Sequence, residues 1–156
     1  MADVPVILVV EDREDDILLI RKSFERAGVA NPVHYVRSGD EALAYLLGEW
    51  KYANRAEFPL PTLVLLDLKL PGMDGFEVLA WIRQQEGLRA LPVIVLTSST
   101  QLSDVNRAYQ LGASSFFVKE IEFQNLVELS RLLQNYWLVK VRTPQTSRPE
   151  RKPDAA

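Results

Sequence analysis

The chain has 156 residues, enough for one domain with a sizeable core, and its 47% hydrophobic and 25% charged content is that of a globular protein. A formal net charge of -3 offers no bulk attraction to nucleic acid, so no nucleic-acid partner is expected. The absence of cysteine and the single histidine, His34, exclude disulfides, thiolate chemistry and His-rich metal sites. No apolar stretch is long enough to span a bilayer, and the amino terminus carries neither a basic leader nor a cleavage site, so the expectation is a cytoplasmic protein with no membrane contact.

Val4 to Val10 is a Val/Ile-rich run that predicts a buried strand, ending at Glu11 and Asp12. Glu14 to Ala27 predicts a helix with Ile17, Leu18, Ile20, Phe24 and Ala27 on one face and Gly28 as its stop. Val33 to Val36 predicts a second strand, and Ser38 caps a helix over Asp40 to Leu47 with Ala42, Leu43, Leu46 and Leu47 inward. Gly48 to Pro61 is a polar and aromatic connection whose Trp50, Tyr52 and Phe58 suggest a packed loop. Leu63 to Leu66 is an apolar run of the kind a strand buried on both faces shows, and it ends in an acid, Asp67. Turn formers follow over Pro71 to Gly75, and a helix over about Asp74 to Gln85 buries Phe76, Val78, Leu79 and Ile82. Val93 to Leu96 predicts strand four, ending at Thr97; a helix over Leu102 to Leu111 stops at Gly112. Strand five, Ser115 to Val118, ends in Lys119, and helix five runs from Phe123 to Leu138. The polar segment 141–156, with Pro144, Pro149 and Pro153, reads as a disordered tail behind one domain over residues 4–140.

Strict alternation of strand and helix predicts an α/β protein with a parallel sheet covered on both faces. The second strand ends in nothing polar enough for chemistry, which fits a peripheral place. Right-handed crossovers then favour a flavodoxin-like, doubly wound sheet of order 2-1-3-4-5 with five helices. In such sheets ligands bind at the carboxyl edge of the strands. That edge receives Glu11, Asp12, Asp67, Thr97 and Lys119. Crowded carboxylates repel unless a cation is present, and an all-oxygen site with few protein ligands suits Mg²⁺. A carboxylate nucleophile, a divalent ion, a hydroxyl and an ammonium together suit a phosphoryl group, which Asp67 would carry as an acyl phosphate.

The motifs VVED, LVLLDLKLPGMDG, VIVLTSS and FFVKE, in that order and spacing, resemble the receiver domain of bacterial response regulators over about Pro5 to Leu138. The resemblance implies Asp67 as phosphoacceptor, Asp12 as a direct Mg²⁺ ligand, Glu11 acting through water, and the backbone carbonyl of Lys69 as a further ligand. It also implies Thr97 as the switch hydroxyl, Lys119 as the phosphoryl-binding cation and Phe116 as the switch aromatic. The Gly48 to Pro61 insertion, the Tyr136-Trp137-Leu138 end of helix five and the lack of an output segment resemble the phytochrome-associated single-domain regulators. The expected donor is therefore a sensor histidine kinase, of the phytochrome type on that finer likeness. One departure stands out: Glu120 follows Lys119 where receivers usually carry proline, often with a cis peptide.

Other readings stay open on sequence alone. A pseudo-receiver scaffold would keep the fold without phosphorylation. An aspartyl-phosphate phosphatase would need a second acid two residues after the nucleophile, where Lys69 stands, so the chain is not expected to be a turnover enzyme. Glu14, Asp15 and Asp16 read as helix amino-terminal acids favoured by the dipole rather than as ligands. Thr97 could cap the following helix, and Phe116 is core first. His34 reads as a strand-edge residue. The apolar content of helix five exceeds what one buried face needs, so a homodimer through helix four, strand five and helix five is expected.

Overall fold

The structure is a computed structural model and describes residues 4–119, 122–140 and 144–149. Five strands, β1 (Ile7–Val10), β2 (Val33–Val36), β3 (Leu63–Leu66), β4 (Val93–Thr97) and β5 (Ser115–Val118), form one parallel sheet of order 2-1-3-4-5. Five helices alternate with them: α1 (Glu14–Ala27), α2 (Gly39–Leu47), α3 (Gly75–Gln84), α4 (Leu102–Gln110) and α5 (Phe123–Leu132). The expected fold class and strand order are both present.

β1 and β3 are apolar throughout, and β4 is apolar up to Leu96, because both faces of the sheet are covered there. On β1, Leu8 and Val10 join α2 and α3 through Ala42, Leu46, Val78, Leu79 and Ile82. Ile7 and Val9 point the other way, to Ile20 and Phe24 of α1 and Leu126 of α5. The period of two along each strand thus splits one apolar run between two cores.

Local signals place the helix starts. Ser38 accepts the Glu41 N–H at 3.1 Å. Asp74 accepts the Glu77 N–H at 2.9 Å while Glu77 accepts the Asp74 N–H at 2.9 Å, a reciprocal capping box that fixes the start of α3. Gly75 then lies against β3: a Cβ there would stand 2.2 Å from the Asp67 carbonyl oxygen, a contact only glycine permits.

Several expectations need correction. The β1 ladder starts at Ile7, not Val4: Val4 is exposed, and the Val6 carbonyl accepts the Thr62 N–H at 2.8 Å just ahead of β3. Leu18 faces solvent, since the helical phase that buries Ile17, Ile20 and Phe24 turns it outward. Helix five keeps α geometry only to Leu132 and continues as a wider π-type turn over Leu133–Lys140. In the connection after α2, Tyr52 and Phe58 pack with Tyr45 and His34, whereas Trp50 stands 74% exposed at φ 56. Arg55 holds that connection, donating to the carbonyls of Tyr45 and Leu46, both at 2.7 Å. Of the polar tail, residues 144–149 are described; they have no regular structure, and the Ser147 N–H donates to the Gly87 carbonyl at 2.9 Å. The remainder of the tail and the Glu120 peptide lie outside the described residues.

Candidate functional site

Three site residues are each fixed by one backbone hydrogen bond just past the end of a strand. The Glu11 N–H donates to Val36 at 3.0 Å, the Asp67 N–H to Val10 at 3.1 Å and the Lys119 N–H to Thr97 at 2.7 Å. The sheet therefore sets the spacing at its carboxyl edge, and the side chains need only converge. Glu11, Asp12 and Asp67 do so, with one carboxylate oxygen from each within 4.8 Å of the others. Lys119 reaches in from β5 and donates to Glu11 Oε2, to Asp67 Oδ2 at 3.1 Å and to Asp16 Oδ2 at 2.9 Å.

Burying carboxylates is costly unless they are paired. Glu11 is 1% and Asp67 5% exposed, and the Lys119 side chain beside them is 15% exposed. Burial pushes the Glu11 carboxyl up to about 7; the Asp67 charge adds to the rise, and the Lys119 hydrogen bond opposes it. Burial alone would lower the Lys119 pKa, but its bond to Glu11 and the Asp67 and Glu11 charges outweigh that and hold it above its ordinary value. Lys119 is thus an ammonium group at neutral pH. One ammonium donates to three carboxyl groups, and Asp12 stands beside two of them. Two carboxylates 4.8 Å apart repel by roughly 3 kcal/mol at an effective dielectric of 20, so the cluster is short of positive charge.

Asp12 shows where the missing charge fits. Its Oδ1 is buried and, among the described residues, has no hydrogen-bond partner. Glu11 Oε1 and Asp67 Oδ1 are oriented by backbone groups, accepting from Arg13 N–H at 3.1 Å and Lys69 N–H at 3.2 Å. An all-oxygen donor set with an unpartnered oxygen fits a hard divalent cation such as Mg²⁺ or Mn²⁺.

Thr97 ends β4, fully buried, and its hydroxyl oxygen accepts the Ser99 N–H at 3.5 Å. It does not cap α4, whose N-cap is Gln101. Ser99 does the local work there, donating to Asp104 and accepting from the Gln101 N–H. Phe116 lies opposite Val95 in the β4–β5 ladder and packs, half-buried, with Leu68, Phe76 and Ala108. It is a core residue, but one that joins the loop after β3 to α4.

Asp16 is the residue that sequence reasoning placed differently. It is a first-turn acid of α1, as expected, and it also reaches Lys119 from a position 103 residues away. Only the doubly wound order, which packs α1 and α5 on one face, brings the two together. No local pattern signals it.

A doubly wound sheet that gathers three acids and a lysine at its carboxyl edge defines a class of phosphoacceptor signalling domains. The chain belongs to the response regulator receiver domain family, whose model matches residues 7–131. It is 40% identical over 139 residues to the probable methanogenesis regulatory protein FilR2 of Methanothrix harundinacea, covering 89% of this chain and 87% of that one. It is 35% identical to response regulator Rcp1 of Synechocystis over 89% of this chain and 92% of Rcp1. The Mn²⁺-bound form of Rcp1 superposes with a TM-score of 0.80 over 90% of this chain and 99% of that one. The phosphorylated cyanobacterial phytochrome response regulator RcpA does so with a TM-score of 0.83 at 36% identity, over 92% of this chain and all of RcpA. The chain is thus a receiver related to the phytochrome response regulators. No helix among the described residues is long and apolar enough to cross a membrane.

Proposed function

We propose that this receiver takes a phosphoryl group on Asp67 from a sensor histidine kinase of the phytochrome class and switches a protein-binding face in response. The observation that carries the reading is Lys119 bridging Asp67 and Glu11 beside the unpartnered Asp12 oxygen. Mg²⁺ would be held by Asp12, Asp67 and the Lys69 backbone carbonyl, with Glu11 acting through water. Bound there, it supplies positive charge to the phosphoryl oxygens. Asp67 attacks phosphorus as the carboxylate. The P–N bond to the donor histidine breaks, its electron pair stays on the imidazole nitrogen, and that nitrogen takes a proton. Lys119 balances the added charge. Thr97, on the neighbouring strand, donates its hydroxyl to a phosphoryl oxygen, and Phe116 follows into the space this movement leaves. The signal then emerges on the α4, β5 and α5 face.

Exposed apolar side chains on α4, on α5 and in the turn after it support a surface that a second copy would cover. Leu102 is 70%, Tyr109 49% and Leu132 61% exposed, and Phe123 and Tyr136 add to them. We assign it to a homodimer, which sedimentation at rising concentration tests. For the chemistry, a small phosphodonor with Mg²⁺ should add one phosphoryl group by intact mass, and Asp67→Asn should not accept it. Modification that persists in Asp67→Asn would refute the assignment. No modification of the wild-type chain by any donor would leave the scaffold reading in its place.

A further inference from the structure

Building on the function proposed above, we infer that Asp16 is a positioning residue that keeps the Lys119 ammonium group at the phosphoryl site once Glu11 and Asp67 are engaged elsewhere. An ammonium group has three donors and no acceptor. Lys119 uses all three, on Glu11, on Asp16 at 2.9 Å and on Asp67 at 3.1 Å. These partners differ in kind. Glu11 and Asp67 belong to the group of acids able to share a metal ion, together with Asp12, and Asp16 does not. A divalent ion in that group competes with Lys119 for Glu11 and Asp67. Phosphorylation changes Asp67 again, from a carboxylate to an acyl phosphate. Among the described residues, Asp16 is the one carboxylate on Lys119 that neither event consumes.

The surroundings support an anchoring role. The Lys119 main chain is tied to Thr97, so what remains to be fixed is its long, flexible stem. Leu19, Ile20, Leu96 and Leu126 line the space beside Asp16 and Lys119, and the two side chains are 26% and 15% exposed. The pair is therefore better shielded than an ordinary surface ion pair. Arg13 stands 3.8 Å from the same Asp16 oxygen, a second cation on the side of that carboxylate away from the reacting groups. With Asp16 holding one N–H, the other two are free for phosphoryl oxygens. Without it, the stem has, among the described residues, no carboxylate partner outside the reacting groups.

The test uses beryllofluoride as a phosphoryl mimic, titrated calorimetrically into the Mg²⁺-loaded chain, with Mg²⁺ alone titrated in parallel. Asp16→Ala should weaken beryllofluoride binding by about tenfold or more, the scale of one charged hydrogen bond, and leave Mg²⁺ affinity within about threefold. Asp16→Asn, which keeps an acceptor oxygen, should recover part of the loss. Asp16→Ala combined with Lys119→Ala should bind no worse than Lys119→Ala alone, because Asp16 acts through that lysine. In Mg²⁺-loaded protein, where the ion competes for Glu11 and Asp67, the Lys119 ammonium ¹H–¹⁵N signal should persist in the wild-type chain and broaden away in Asp16→Ala. Wild-type beryllofluoride affinity in Asp16→Ala, an equal loss of Mg²⁺ affinity, or additive losses in the double variant would each overturn the inference. Failure of the wild-type chain to bind beryllofluoride would instead overturn the functional reading beneath it.

Discussion

Gly75→Ala should damage the phosphoryl site more than it damages the fold. Gly75 opens α3, and its N–H donates to the Leu68 carbonyl at 3.0 Å. A Cβ at this position stands 2.2 Å from the Asp67 carbonyl oxygen, 2.6 Å from Leu68 Cα and 2.9 Å from the Asp67 carbonyl carbon. All three are backbone atoms, so no rotamer change relieves the contact. Restoring ordinary van der Waals separation moves the end of β3 and the start of α3 apart by roughly 1 Å. Overpacking of this kind costs about 1–3 kcal/mol, partly offset by the better helix propensity of alanine, worth up to about 1 kcal/mol. A displacement of about 1 Å at a reacting group can cost on the order of 10²-fold in rate. The control is Gly72→Ala: Gly72 has φ 69, but nothing lies within 4 Å of the added atom. That change costs about 1–2 kcal/mol of backbone strain and leaves Asp67 in place. Urea midpoints and the rate of phosphorylation by a small phosphodonor, followed by intact mass, separate the two. Similar stability losses should accompany a large rate loss in Gly75→Ala and nearly wild-type rates in Gly72→Ala. A folded Gly75→Ala protein that phosphorylates within threefold of wild type would refute the claim that this glycine sets the position of Asp67.

Metal dependence follows from the unpartnered Asp12 oxygen: Mg²⁺ at 100 times its dissociation constant should stabilise the wild-type chain by about 2.7 kcal/mol in thermal melts. Asp12→Asn should abolish that gain while melting no lower than wild type in EDTA, because it removes a charge the metal-free fold leaves unbalanced. Arg55→Met should cost about 1–3 kcal/mol in urea unfolding by stranding the Leu46 carbonyl and leaving the Tyr45 carbonyl to the Gly48 N–H alone, with Mg²⁺ affinity unchanged because the site lies elsewhere. His34 packs 5.7 Å from the Tyr45 ring and 5.4 Å from the Phe58 ring, and burial lowers its pKa, against a small opposing pull from Glu57. The unfolded chain then takes up the proton more readily than the folded one. The His34 contribution should be fully present above its ordinary value of 6.5 and fall away as pH drops through the lower folded value. His34→Phe should flatten that part of the urea-midpoint profile between pH 7 and 5; an unchanged slope would mean other groups cause it.

The parallel sheet was legible because a strand covered on both faces has no polar alternation to hide it, and its apolar run stops where solvent and chemistry begin. Asp67 and Lys119 stand at such stops, so locating the strands also located the candidate site. Helix starts were legible where one side chain closes a backbone bond, as Ser38 does with Glu41. What stayed hidden depends on phase or on distance. The run Ile17-Leu18-Leu19-Ile20 carries apolar residues all round the helix, and only the neighbours of α1 decide that Leu18 and Leu19 face out, at 46% and 41% exposure. Tyr45 shows the converse: its hydroxyl donates to the Pro59 carbonyl at 2.8 Å, which lets a polar tip sit in a fully buried ring position that no inward apolar pattern included.

Asp16 was hidden for a different reason. An acid in the first turn of a helix is already accounted for by the dipole, so nothing about it asked for a further cause. The two roles are compatible in one side chain, since the carboxylate that faces the α1 amino terminus also faces the carboxyl edge of the sheet. In a doubly wound fold the first turn of a helix that follows a strand always starts at that edge. Acids in such first turns are therefore within reach of the site by construction, and a lysine delivered from another strand is what decides which of them is used. Here Lys119 selects Asp16 and not Glu14, which pairs with Arg37, nor Asp15, which is exposed.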